Sequence, residues 1–363
     1  MKKQNLKYGI IIPLILFFII STISIYSTKN ILLSKQIMWF LIGFFIIFIM
    51  QKIDFSKITN LSLALYIAGN ILLFLLLIFG KEINGSKCWF VIPDIGSFQP
   101  SEFMKLIIIL INATVFQKFN KKYPKRTFKD DVKIFLITIV LTLIPSLLTF
   151  LEPDTGVVII YFLITFIMLF TFGIKKRLFV LIGSFALIIL GVFFYLYFYN
   201  ENQFISIFGT SFFYRIDRLL DWSNKNGMQI TNALAAIKAA GFFGFGIGNT
   251  PIYIPEAHTD FIFSAYASNT GLIGTLLLLI AILIFDITLF IMVHKTNNKI
   301  HKFIIIGFTT MLLYQQFQNI GMNIGLLPIT GITLPFISYG GSSLLSYMIG
   351  IGIILNNKIT DEI

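Results

Sequence analysis

The sequence predicts an all-α polytopic membrane protein, with about ten transmembrane helices and one large extracytoplasmic loop. Three observations predict it. The chain is 57% hydrophobic and only 12% charged, where a soluble domain carries about 25% charge. Apolar runs of the roughly 20 residues needed to cross a bilayer recur along its whole length. Alternating strands of roughly ten residues, the mark of a membrane barrel, are absent, and only helices and closed barrels satisfy their backbone in lipid.

Apolar length places the spans at 8–26, 33–51, 59–79, 101–118, 133–150, 157–173, 178–198, 262–293, 303–325 and 339–355. The first, Tyr8 to Tyr26, exceeds a signal-peptide core and no small-residue cleavage site follows, so it reads as an uncleaved span. The eighth is long enough to begin with an interfacial or re-entrant portion. No repeat or low-complexity tract interrupts the chain, and 1–363 reads as a single integral membrane domain. The one cysteine, Cys88, cannot form an intrachain disulfide.

Lysine and arginine placement sets the expected orientation. One set of connections holds Lys2, Lys3, Lys7, Lys52, Lys57, the cluster from Lys118 to Lys133, Lys175 to Arg177, and Lys295, Lys299 and Lys302. The short loops of the other set are poorer in cations. The basic set is therefore expected inside, with both termini cytoplasmic. This accounts for the net charge of +12 and excludes nucleic acid as the partner.

Three segments are then expected outside: Lys81 to Pro100, Glu152 to Gly156, and the loop 200–260. The last is too long for a mere connector and has a helix-like pattern around Ile230 to Ala240. Its end holds the most unusual residues. A glycine-rich run to Asn249 precedes Pro255-Glu256-Ala257-His258-Thr259-Asp260, and the chain then turns apolar. Asp260 thus stands at the mouth of a span. One reading is a helix-start carboxylate at a positive dipole end. The other is a partly desolvated carboxylate whose raised pKa suits general-base work. Glu256 would share a face with Asp260 on a helix. His258 is either a structural hydrogen-bonder or a participant. Gly241, Gly244, Gly246 and Gly248 lack the preceding strand and βαβ unit of a nucleotide fingerprint, so close backbone packing is expected of them.

Gln99-Pro100-Ser101-Glu102 opens the fourth span with ordinary capping chemistry. Lys105 follows inside the apolar run, where a cation must be paired or reach water. It either snorkels or pairs with a carboxylate such as Asp260 or Glu102. Arg215 and Arg218 suit bidentate phosphate contacts or a solvated loop face. Trp89 suits an interfacial belt. Tyr339-Gly340-Gly341-Ser342-Ser343 permits close helix packing. Asn319 and Asn323 are placed to line a polar cavity.

Five blocks resemble the SEDS family of RodA-, FtsW- and SpoVE-like proteins: Asn84-Gly85 to Trp89; Gln99 to Glu102 with Lys105; Glu152-Pro153-Asp154 with Gly156; Pro255 to Phe263; and Gly325-Leu326-Leu327-Pro328 through Gly331 to Ser343. The resemblance covers nearly the whole chain. It implies a peptidoglycan glycosyltransferase with ten spans that polymerises lipid II at the outer face of the cytoplasmic membrane. Asp260 falls at the family's essential aspartate, and Lys105, Glu102, Trp89 and Asp154 match family positions. The implied partners are lipid II, membrane lipid and a class B penicillin-binding protein. No cofactor is evident, and a divalent cation is compatible with the site. The chain departs from the family at Cys88, commonly arginine, at Ser268-Asn269, commonly a Glu-Glu pair, and at Asn232, often serine. These changes suggest a divergent member, or a weakly active scaffold. A lipid II flippase is the further alternative, but it would need polar residues through the midplane.

Overall fold

A computed structural model describes residues 3–83, 86–92, 96–210, 212–213 and 227–356. The helices are α1 (Lys3–Lys29), α2 (Leu33–Met50), α3 (Phe55–Asn60), α4 (Ser62–Phe79), α5 (Pro100–Lys122), α6 (Phe128–Leu151), α7 (Thr155–Phe172), α8 (Lys176–Tyr199), α9 (Glu201–Phe208), α10 (Met228–Ala239), α11 (Ile262–Lys295), α12 (Lys299–Asn323) and α13 (Gly341–Ile354). The helices α1, α2, α4 to α8 and α11 to α13 fall on the ten expected spans. The fold is the all-α, polytopic one that the apolar pattern predicts.

By length and apolar composition alone, five stretches among the described residues qualify as spans, the first of which, Leu6–Met50, holds both α1 and α2. Helices α5 and α12 do not qualify, for a physical reason. They lie at the centre of the bundle and pack against each other and against α7. Their neighbours are protein rather than lipid, so they carry polar groups that a lipid-facing helix cannot. On α5 these include Glu102, Lys105 and Asn112; on α12 they include Gln315, Gln316 and Asn319, all buried.

Local chemistry fixes the helix ends that matter for the site. Pro100 occupies the first turn of α5, where its missing N–H costs nothing. Asp154 caps α7, its Oδ1 accepting from the Val157 N–H at 3.2 Å. At the opposite end of α7 the chain leaves through Gly173 in the left-handed region, φ 82°.

A small sheet was not foreseen. Strands β1 (Lys81–Ile83), β2 (Ser86–Ile92) and β3 (Gly96–Phe98) form an antiparallel sheet in that order. Lys81 pairs with Trp89, and Phe90 with Phe98. The segment expected as a loop is therefore a hairpin that presents Cys88 and Trp89 from its middle strand. The long loop contributes α9 and α10, the latter where a helical pattern was expected.

The glycine-rich run packs backbone to backbone against α11. The Phe245 N–H donates to Ser268 O at 2.9 Å, and Gly246 N–H to Asn269 O at 3.0 Å. Gly271 interrupts α11 with φ 65°. A Cβ there would collide with the backbone of Phe242 and Gly244. Within the run, Gly244 serves close approach as expected, since a Cβ there would collide with the backbone of Asn269 and Gly271. Gly241 and Gly248 have open space where a Cβ would lie, and their φ of 60° and 84° is what favours glycine there. Ser268 and Asn269 consequently belong to this crossing. They are buried and lie outside the polar cavity described next.

Candidate active site

One cavity of about 430 Å³ opens where the starts of α5 and α7 meet the hairpin, the turn before α11, and the chain between α12 and α13. Among its lining residues are Trp89, Glu102, Asp154, Glu256 and Asp260, five of the residues singled out from sequence. Residues as far apart as 89 and 343 thus converge on one space between apolar helices.

Asp260 is held by its backbone. Its carbonyl oxygen accepts from Asn319 Nδ2 at 2.8 Å and Asn323 Nδ2 at 2.9 Å. Asn323 Oδ1 also accepts from the Ser264 N–H at 3.0 Å, in the first turn of α11. The two asparagines were expected to line a cavity; they instead clamp the turn that carries the carboxylate. The preceding residues form a tight turn in which the Glu256 carbonyl accepts from the N–H groups of Thr259 and Phe261, each at 3.1 Å. Glu256 itself sits in the left-handed region, φ 51°, which is uncommon for a non-glycine residue. The Asp260 carboxylate faces Gly331, where an added Cβ would lie 3.8 Å from Oδ2.

Burial raises the Asp260 pKa to about 6, and the neighbouring Glu256 adds to the rise. Asp154 is also raised to about 6, by burial first. Its hydrogen bond from Val157 opposes this; Glu102 pushes it up, and Lys105 pulls it down. Gln99 Nε2 donates to Asp154 Oδ2 at 3.1 Å.

Lys105 is fully buried and therefore does not snorkel. Its Nζ pairs with Glu102 Oε2 at 2.8 Å and lies 5.5 Å from the Tyr347 ring centroid. The pairing is with Glu102, one helical turn away, and the lysine stands behind the cavity wall. His258 is not among the lining residues. Its carbonyl accepts from the Tyr339 N–H at 2.9 Å, and its ring lies 6.2 Å from that of Tyr339. Burial, and to a smaller extent Lys29, lower its pKa, while Glu256 opposes them. Arg215 and Arg218 lie outside the described residues.

Gln99, Gln315 and Cys88 are among the lining residues that were not read as site residues. Gln99 had a signal, since it opens a motif block. Gln315 had only its polarity inside a span; it donates to the Tyr347 hydroxyl at 2.8 Å. Cys88 was noted as a departure, and its thiol donates to the Glu152 carbonyl at 3.1 Å. The Glu152 side chain is fully buried with neither carboxylate oxygen hydrogen-bonded. Burial, then Asp154, raise its pKa to about 8, so it is largely protonated at neutral pH.

The cavity's carboxylates are hard oxygen donors of the kind that suit a divalent cation. Among the described residues, however, no three acidic, histidine or cysteine groups gather closely enough to hold one. The side chains of the described residues do not by themselves make up a divalent-cation site.

A polar, acid-lined cavity between the ends of packed apolar helices defines an integral membrane protein with a site at one end of its bundle. The chain belongs to the FtsW/RodA/SpoVE family of cell cycle proteins, whose model matches residues 5–362. It is 34% identical to the probable peptidoglycan glycosyltransferase FtsW of Hydrogenovibrio crunogenus, over 89% of this chain and 81% of that protein. The Bacillus subtilis protein of the same description is 28% identical, over 98% of this chain and 92% of its own length. Among solved structures, a chain of a peptidoglycan synthase complex that coordinates polymerization and crosslinking matches with a TM-score of 0.78. It is 27% identical, and the match covers 96% of both chains. The rod shape determining protein RodA of Thermus thermophilus matches with a TM-score of 0.68 at 26% identity, over 96% of this chain and 95% of that one.

Proposed function

We propose that this chain is a peptidoglycan glycosyltransferase that polymerises lipid II at the outer leaflet of the bacterial cytoplasmic membrane, with Asp260 as the general base. The observation that carries the reading is the position of Asp260: in an acid-lined cavity at a membrane-helix mouth, clamped by its backbone, with a pKa of about 6. At neutral pH such a carboxylate is mostly ionised, yet basic enough to accept a proton.

The acceptor sugar hydroxyl attacks the anomeric carbon of the donor. Its proton passes to the Asp260 carboxylate as the glycosidic bond forms. The bond between that carbon and the pyrophosphate breaks, and its electron pair leaves on undecaprenyl pyrophosphate. The growing negative charge needs cations. We assign this to Lys105 behind the wall and to Arg215 and Arg218 in the long loop. Trp89 supplies an aromatic surface at the cavity edge. Glu102 and Asp154 hold the polar network, Glu102 by pairing Lys105 and Asp154 by capping α7. Glu256 borders the cavity, and His258 anchors the turn through its carbonyl.

The partner we assign is a class B penicillin-binding protein that crosslinks the strands, and both termini are placed in the cytoplasm. A flippase would need a polar route through the bundle. Asn319 and Asn323 are engaged with backbone at the cavity end, which supports the enzyme reading. Purified protein given labelled lipid II, with and without a transpeptidase partner, tests it: glycan strands are expected, and their absence under both conditions would leave a scaffold. Because the base must be deprotonated, polymerisation should fall as pH drops through about 6.

A further inference from the structure

A second cavity, of about 710 Å³, lies at the opposite end of the bundle from the acid-lined one. Helix α5 fixes this relation: Glu102 in its first turn lines the first cavity, and Asn120 near its end lines the second. A helix of that length spans about 35 Å, so its ends reach the two headgroup zones of a bilayer roughly 30 Å thick.

The charge balance of the second cavity is the reverse of the first. Arg126, Lys299 and Lys302 line it, together with Phe172 and Phe303, and no acid does. Arg126 is fixed in place. Its guanidinium lies 4.3 Å from the Phe172 ring centroid and donates to the carbonyls of Phe172 and Gly173 at 3.3 and 3.2 Å. Its one acidic neighbour, Asp131, is 3.9 Å away and also accepts from the Lys175 N–H. Lys299 and Lys302 have no acid within salt-bridge distance among the described residues. Both stand in the first turn of α12, which holds no acid. Cations at a helix start oppose the dipole, whereas an anion there is favoured. Three cations around one space, two of them at the wrong helix end, call for an external anion. The aromatic floor suits the glycerol and first acyl carbons beneath a headgroup.

We propose that this cavity binds the phosphodiester headgroup of an anionic phospholipid, seated between the ends of α5, α7 and α12. The chemistry is that of basic pockets between transmembrane helices. The inference rests on the membrane embedding of the bundle and not on its catalytic activity. The probe is phosphatidylglycerol, with phosphatidylcholine of identical chains as the control, on the full chain in mixed-lipid nanodiscs read by native mass spectrometry. Phosphatidylglycerol should be retained preferentially. The double variant Lys299→Gln/Lys302→Gln should lose that preference by about tenfold or more while melting at the wild-type temperature. Lys302→Arg should keep it, because charge is what the site reads. Equal retention of the two lipids by wild type, or unchanged preference in the double variant, would overturn the proposal. Displacement of the lipid by millimolar inorganic phosphate would overturn it too, since the site would then read a free anion.

Discussion

Lys105 shows how a single charged side chain can be tolerated inside an apolar helix. It is buried, and Glu102 neutralises it at 2.8 Å. Removing one member of a buried pair leaves an uncompensated charge and costs about 3–5 kcal/mol. Lys105→Met should therefore lower thermal stability as well as polymerisation. The double variant Lys105→Met/Glu102→Gln should regain most of the stability but not the activity. Equal melting of single variant and wild type would show that the pair carries no such weight. Glu152 gives a pH-dependent counterpart. Its folded pKa, about 8, stands above its ordinary value of 4.5. The folded state therefore binds the proton more tightly than the unfolded one. Its stabilising contribution is complete below the ordinary value and is lost as pH rises through about 8. Glu152→Gln should melt like wild type at acid pH and above it at alkaline pH. A variant less stable than wild type at alkaline pH would mean that the ionised carboxylate has a partner.

At the scale of elements, the spans were legible because each buries or exposes an apolar run of membrane length, a purely local property. The hairpin of β1 to β3 was not. Its strands are short, and long-range contacts help hold it, such as the Gln99 N–H donating to Ser342 Oγ at 2.9 Å. Asp260 was legible from its position at a span mouth, but the role of Asn319 and Asn323 was not. They reach it across 59 and 63 residues of sequence, and nothing local announces such a clamp. The departures at Ser268 and Asn269 looked like losses at the site, since they follow the aspartate block closely. The turn into α11 carries them instead to the glycine crossing, and of the departures Cys88 alone lines the cavity. That crossing is testable. Gly271→Ala introduces a Cβ against backbone that cannot rotate away, at φ 65°. Such overpacking costs about 1–3 kcal/mol. A lower melting temperature is expected, and an unchanged one would show that the loop stands off from α11.

The whole molecule is polarised between its ends: carboxylates line one cavity, and cations the other. The cation distribution predicts that the acid-lined end faces outward. Gln203, exposed on α9, and Lys122, exposed at the far end of α5, report on the two sides. Gln203→Cys should react with a membrane-impermeant reagent in intact cells, and Lys122→Cys only after permeabilisation. The reverse pattern would invert the orientation and place the acid-lined cavity away from an outer-leaflet substrate. The account depends most heavily on the proton acceptor. Asp260→Asn keeps size and the backbone clamp but removes basicity, so it separates chemistry from folding. The decisive measurement is the rate at which purified Asp260→Asn protein polymerises labelled lipid II, compared with wild type. The account predicts a loss of roughly 100- to 10,000-fold, with folding and partner binding retained. A variant that still makes glycan strands within about tenfold of the wild-type rate would contradict it.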